Sequence, residues 1–375
     1  MSWAIWITGL PGSGKSALAS AAAIELRALG EPVRLLELDE MRKVLTPRPQ
    51  YTDAERDIVY RALAYMAALL TEAGVPVIIG ATAHRRAWRD LARAAIPRFA
   101  EVQLLCPLEV CRERERARPM GHAPRGIYER AGRAGATVPG VDVPYEPALT
   151  PELAIHTAEE ALPRAVSRIV ALARHLAPER PAAPAEHAQG WAIWISGRPG
   201  SGKTALAGRV AEALTGRGTP ARVLDLGALR GFLLHDPHAS ETDQEIAHRA
   251  LAYAAKLLTE AGVAVIVDAT APRRAWRDAA RELIPRFAEV QLLCPVEACI
   301  ERERAARWGL FAADGTTCAR AGEAGGPDIV LDYEESLRPD LILHTDVEDL
   351  WTTVEQVLFL VRRLHQAPAV HVHQP

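Results

Sequence analysis

Along the first half of the chain, short unbroken apolar runs alternate with longer stretches whose apolar residues recur at helical spacing. Ala4 to Thr8 is an apolar run that enters a glycine-rich turn, and an alanine-rich helix follows to about Leu29. Val33 to Leu38 reads as a second strand. Thr52 and Glu55 form a capping box at the start of a long helix reaching Glu72, which Gly74 ends. Val75 to Ile79 is apolar throughout, as expected for a strand covered on both faces. Val102 to Cys106 and Leu153 to His156 supply two more strands, with helices beginning near Leu108 and Ala158. Such alternation predicts an α/β fold: a parallel sheet of roughly five strands, flanked by helices and joined by right-handed crossovers. Ligands then belong at the carboxyl edge of the strands.

The pattern occurs twice. Trp3-Ala4-Ile5-Trp6-Ile7 returns as Trp191 to Ile195, a constant offset of 188 positions. Arg61 to Tyr65 returns as Arg249 to Tyr253, Arg85 to Asp90 as Arg273 to Asp278, and Ile96 to Pro107 as Ile284 to Pro295. Two units with so long a period mean duplicated whole domains rather than a solenoid. The first domain is expected over 1–176 and the second over 190–365. A Pro/Ala-rich linker spans 177–189 between them, and a flexible tail covers 366–375.

Composition narrows the class. A chain of 375 residues with a formal net charge of −3 lacks the basic balance of a general nucleic-acid binder. No apolar run reaches the length of a membrane helix. The start of the chain runs into a strand and a glycine-rich loop rather than a signal peptide, and the five cysteines suit reduced thiols. A cytoplasmic location is expected. Cys106 and Cys111, like Cys294 and Cys299, read as packing residues rather than zinc ligands.

The glycine-rich loops carry the chemistry. Gly9 to Ser16 and Gly197 to Thr204 both satisfy G-x-x-x-x-G-K-[ST], each between a strand and a helix. Gly9, Gly12, Ser13 and Gly14 in the first loop let backbone N–H groups curl around the phosphates of ATP, as do Gly197, Gly200, Ser201 and Gly202 in the second. Lys15 and Lys203 reach the outer phosphates, and the hydroxyls of Ser16 and Thr204 ligate Mg2+. ATP and magnesium are therefore the expected cofactors, with Lys15 a catalytic residue. Each half is expected to be a P-loop kinase domain.

The first half resembles adenylylsulfate kinase from Ile5 to about Thr157. Leu38-Asp39-Glu40-Met41-Arg42 is similar to the family's L-D-G-D-N-V-R segment, and Tyr51-Thr52 stands where it has Phe-Ser. Arg56 and Arg61 fall on arginines of its D-R-x-E-N-I-R-R helix. Arg86, Arg89 and Arg93 match S-P-[FY]-R-x-x-R-x-x-x-R, and Cys106-Pro107-Leu108-Glu109-Val110-Cys111 resembles P-L-E-V-C. Gly126-Ile127-Tyr128 and Gly140-Val141-Asp142-Val143-Pro144-Tyr145-Glu146 resemble its mobile lid. The resemblance implies transfer of the ATP γ-phosphate to the 3′-hydroxyl of adenylyl sulfate. It implies Asp39 as the residue that orients or deprotonates that hydroxyl, with an N-cap for a helix beginning near Met41 as the alternative. Arg42, Arg56, Arg61, Arg86 and Tyr145 would hold the small anionic acceptor.

Val59, Glu129 and Val138 depart from the family's asparagine, lysine and phenylalanine, and an extra segment lies around Pro119 to Pro124. Another small hydroxylated metabolite therefore stays open as acceptor, as does a nucleotide-dependent regulatory protein. The second half replaces Asp39 by Gly227 and Arg56 by Gln244, and rewrites the lid between Trp308 and Asp332. Asp268, where the first half has Gly80, is a candidate partner for a magnesium water, and Asp225 a substitute for the lost acid. The second half reads as nucleotide-binding but impaired or divergent. Because family members dimerise, it is also a candidate built-in partner, alongside an ordinary homodimer.

Overall fold

The computed structural model describes residues 1–117, 126–133, 135–177, 190–234, 240–307 and 332–366. The expected linker beyond Ala177, the tail after Gln366, the segment around Pro119 to Pro124 and nearly all of the second lid lie outside these residues. The chain divides into two compact units, Met1–Pro184 and Ala185–Pro375.

In the first unit, five strands alternate with six helices: β1 Ala4–Thr8, α1 Lys15–Ala28, β2 Arg34–Glu37, α2 Leu38–Leu45, α3 Asp53–Glu72, β3 Val77–Gly80, α4 Arg86–Ala95, β4 Phe99–Leu105, α5 Leu108–Ala117, β5 Leu153–His156 and α6 Leu162–Leu176. A short 3-10 turn, Tyr128–Arg130, precedes β5. The sheet runs β2-β3-β1-β4-β5, with every pairing parallel. Its central strand β1 is buried at every position, which is why its sequence is continuously apolar. Trp3, Ile5 and Ile7 pack with Leu18, Ala22 and Leu26 of α1 and Ile169 and Val170 of α6. Sheet growth reverses beside β1, and such a switch point opens a crevice at the carboxyl ends of the strands.

Three expectations shift locally. The second helix begins at Leu38, with Glu37 at the N-cap position and no side-chain cap, so Asp39 stands in its first turn rather than at a cap or strand tip. The last helix begins at Leu162, behind Pro163 in its first turn, not near Ala158. Half of the capping box forms, since Thr52 Oγ1 accepts from Glu55 N at 3.1 Å. The Glu55 carboxylate goes elsewhere, to Gln50 N at 2.6 Å and to Arg42.

The second unit repeats the plan: β6 Ala192–Ser196, α7 Lys203–Gly216, β7 Ala221–Asp225, α8 Leu226–Leu233, α9 Glu241–Glu260, β8 Ala264–Asp268, α10 Arg274–Leu283, β9 Phe287–Leu293, α11 Val296–Arg307, β10 Leu341–His344 and α12 Leu350–Gln366. Its parallel sheet runs β7-β8-β6-β9-β10, the same order seen from the other edge. Here the complete capping box does form, between Ser240 and Asp243 at the head of α9.

Candidate active site

The first glycine-rich loop connects β1 to α1, and its backbone explains its glycines. Gly12 has φ +78°, and a Cβ there would stand 2.2 Å from the Cys111 carbonyl oxygen. Gly14, at φ +96°, caps α1 with no side-chain cap, leaving the first-turn N–H groups for a ligand. Lys15 Nζ donates to the carbonyls of Gly9 (3.0 Å) and Leu10 (2.8 Å), folded over its own loop. The second loop repeats this geometry, with Gly200 over Cys299 and Lys203 Nζ on the Arg198 carbonyl at 2.9 Å.

Beyond Lys15 and Ser16 opens a cavity of about 500 Å3 whose far wall includes Asp39, Arg42, Arg56, Tyr60 and His84. Arg42 pairs with Glu55 at 3.0 Å, both nearly buried, and its guanidinium lies 5.2 Å from the Tyr51 ring centre. Tyr51 holds a left-handed backbone at φ +56°, which is rare for an aromatic residue. Arg56 reaches Thr137 through Nη2, touching the hydroxyl and, at 3.4 Å, the carbonyl. Its Nη1 is buried without a hydrogen-bond partner among the described residues. A buried guanidinium nitrogen left open to a cavity suits an anion. Burial is the main cause that lowers the Arg56 pKa from its usual value.

Two polar side chains complete this wall. Tyr60 stacks on Trp88 with ring centres 4.1 Å apart and accepts from Ala83 N at 3.1 Å. Burial, reinforced by the charges of Arg56 and Arg85, pushes the His84 imidazole down to about 4. From the lid, Thr137 and Arg130 line the cavity, and the Tyr128 hydroxyl donates to the Pro11 carbonyl at 2.7 Å, tying lid to loop. Arg114, which donates to the Thr157 carbonyl at 2.7 Å, lines it near the phosphate loop.

The other expected acceptor contacts stand elsewhere. Arg61 pairs with Asp57 at 2.7 Å and does not line the cavity. Arg86 presents its backbone N–H to Glu146 at 2.7 Å and its side chain to Asp90 at 3.7 Å, also away from the cavity. The Tyr145 hydroxyl lies 3.0 Å from Thr8 Oγ1, behind the wall. Beside it, the fully buried Arg89 bonds the carbonyls of Ala83 and Glu146 and pairs with Glu101 at 2.6 Å. Arg89 and Tyr145 thus hold the Pro-Tyr-Glu segment against the sheet. Sequence reasoning passed over Tyr60, His84 and Thr137. The only available signal was their place beside the arginine-rich helix, at the end of β3 and in the lid.

In the second unit Thr204 Oγ1 donates to Asp268 Oδ2 at 2.6 Å. Burial is the leading cause of both the raised Asp268 pKa and the lowered Lys203 pKa. Asp225, the expected substitute acid, instead caps α8 by accepting from Ala228 N at 2.7 Å. Arg277, Glu289 and Glu334 rebuild the Arg89 arrangement, with an ion pair of 2.8 Å.

A parallel sheet with glycine-rich loops at its switch point, facing a cationic cavity, defines a P-loop phosphotransferase. The family model described as adenylylsulphate kinase matches residues 1–156 and again 189–344, and the chain belongs to that family. It is accordingly a tandem duplication and a kinase that transfers phosphate to a hydroxyl group. An adenylyl-sulfate kinase of Synechococcus sp. (strain JA-3-3Ab) is 36% identical over 168 residues, spanning 44% of this chain and 90% of that protein. A probable adenylyl-sulfate kinase of Archaeoglobus fulgidus is 38% identical over 160 residues, 42% of this chain and 97% of its own. Among solved structures, the Mycobacterium tuberculosis APS kinase in complex with AMPPNP and APS is 28% identical, with a TM-score of 0.41. That comparison covers 46% of this chain and 98% of that one. Among the described residues no helix is long and apolar enough to cross a membrane.

Proposed function

We propose that the first half transfers the γ-phosphate of ATP to the 3′-hydroxyl of adenylyl sulfate, giving 3′-phosphoadenylyl sulfate. The observation that carries this reading is the single cavity lined by Lys15, Ser16, Asp39, Arg42 and Arg56. The loop N–H groups and Lys15 hold the donor phosphates, with Lys15 leaving its two carbonyl partners to do so. Ser16 and Asp39, a hydroxyl and a carboxylate on the same cavity, have the oxygen donors that Mg2+ prefers. The ion, when bound, neutralises charge on the transferring phosphoryl group. Asp39 orients the acceptor hydroxyl and takes its proton. Arg56 Nη1 receives the acceptor's anionic group, and Arg56 Nη2 holds the lid through Thr137. Arg42, already compensated by Glu55, braces Tyr51 instead of supplying a free charge.

The second half, on this reading, binds nucleotide through Lys203, Thr204 and Asp268 but is impaired in transfer, because Gly227 and Gln244 replace Asp39 and Arg56. Its pairing with the first half as a built-in dimer belongs to the same proposal, as does a cytoplasmic location. Coupled ADP release with adenylyl sulfate tests the assignment. Asp39→Ala is expected to abolish turnover, whereas Lys203→Ala leaves most of it. If adenylyl sulfate gives no ADP above background while another hydroxylated metabolite does, the acceptor is different, a reading that the substitutions at Val59 and Glu129 favour.

A further inference from the structure

We propose that His84 is a specificity-determining residue of the acceptor site, hydrogen-bonding an uncharged polar group of an acceptor whose anionic group lies on Arg56. The inference rests on the functional reading above and extends it to a residue that reading leaves unused.

The loop between β3 and α4 holds His84 firmly. Ala83 adopts a left-handed backbone at φ +39°, a strained state for a residue with a side chain. Its N–H donates to the Tyr60 hydroxyl and its carbonyl receives Arg89. The His84 carbonyl accepts from Glu146 N at 2.8 Å, and the edge of the ring meets Trp88 at 5.0 Å. The side chain is only 5% exposed, and what remains open lies on the cavity. Its ring nitrogens hydrogen-bond to no described residue.

Ring nitrogens that face the cavity and hydrogen-bond to no described residue are available to a ligand group that enters it. The low imidazole pKa keeps the ring neutral near pH 7, with one donor and one acceptor nitrogen. It therefore supplies direction rather than charge, and charge comes from Arg56 next to it. Together they suit an acceptor with an acidic group and, within reach of it, a hydroxyl, amine or ring nitrogen. A nucleotide-like anion has both.

The second half provides the control. Pro272 occupies the same point, Ala271 keeps φ +40°, Arg277 still bonds the Ala271 carbonyl, and the Pro272 carbonyl still accepts from Glu334 N at 2.9 Å. This loop conformation thus accommodates proline, so His84→Pro removes the imidazole while keeping the backbone. His84→Ala serves as a second variant.

Steady-state kinetics of the full chain with ATP and adenylyl sulfate test the proposal. In both variants the KM for adenylyl sulfate is expected to rise about tenfold, the loss of one hydrogen bond, with kcat and the KM for ATP within about twofold. His84→Asn or His84→Gln should recover part of the loss. An unchanged acceptor KM, or equal effects on both substrates, overturns the role of His84 while leaving the functional reading intact. If the wild type is inactive on adenylyl sulfate but His84→Pro turns it over, His84 is confirmed as a selector and the assigned acceptor is wrong. Inactivity of all forms overturns both.

Discussion

The loop glycines were legible because each must supply a backbone that side chains resist, so the motif is written into adjacent residues. Gly12→Ala forces a Cβ against the Cys111 carbonyl in a left-handed conformation. We expect at least about tenfold weaker ATP binding at the first site, read by nucleotide titration with the second site silenced by Lys203→Ala. Arg56 and Arg61 looked equivalent in the sequence, yet only Arg56 lines the cavity. Five residues along a helix turn the side chain by about 140°, so the two cannot share one wall. Glu55 was misread for a related reason. Its capping role was local, whereas its partner Arg42 comes from another helix that no local pattern identifies. His84 and Thr137 became visible only when β3 and the lid met across the cavity.

The elements around the site were largely foreseeable, their ends less so. The order of strands and helices follows from apolar periodicity, while boundaries moved where Pro163 and the Leu38 turn set them. What the pattern did not reveal is how α4 is attached to the sheet: by Arg89, fully buried and paired with Glu101. Removing one partner of such a pair leaves a buried charge without compensation, so Glu101→Ala should cost about 3–5 kcal/mol by denaturant titration. The same change is also expected to free the Pro-Tyr-Glu segment that Arg89 holds through the Glu146 carbonyl. Titration acts on α9 and on the loop before α4 too. His84 and His248, the latter stacked on Trp276 from α9, both have imidazoles lowered to about 4 from the usual 6.5. Between those values the unfolded chain binds more protons than the folded one, so stability rises with pH. Unfolding free energy should therefore fall as pH drops from 6.5 toward 4, with up to two protons taken up on unfolding. Replacing both histidines by glutamine flattens that slope.

At the scale of the molecule, duplication preserved the scaffold and changed the site. The loop glycines, the buried arginine–glutamate pair and the sheet order recur, whereas the acid, the open guanidinium and the imidazole of the first half do not. That asymmetry could be read from Gly227, Gln244 and Pro272 by counting residues, because identical offsets give identical places in a repeated fold. The new Asp268–Thr204 hydrogen bond needed coordinates, since it joins the first turn of α7 to the end of β8, 64 positions away.

One part of the repetition reaches back to the moment the chain leaves the ribosome. β4 and β9 have the same sequence, Phe-Ala-Glu-Val-Gln-Leu-Leu, and their central neighbours β1 and β6 are nearly as alike. Within these strands the one difference that favours β6 over β1 as the partner of β9 is Ser196, whose hydroxyl lies 3.4 Å from Glu289 where β1 has Thr8. Connectivity adds little to that, since a loop about threefold longer disfavours the wrong choice by only about 1 kcal/mol. Synthesis from the N-terminus protects the correct pairing, since the first sheet can close before β9 exists. Refolding from denaturant removes that protection. Stopped-flow refolding should therefore show a slow, trapped fraction, and scrambling the identity of β9 with conservative replacements should abolish it.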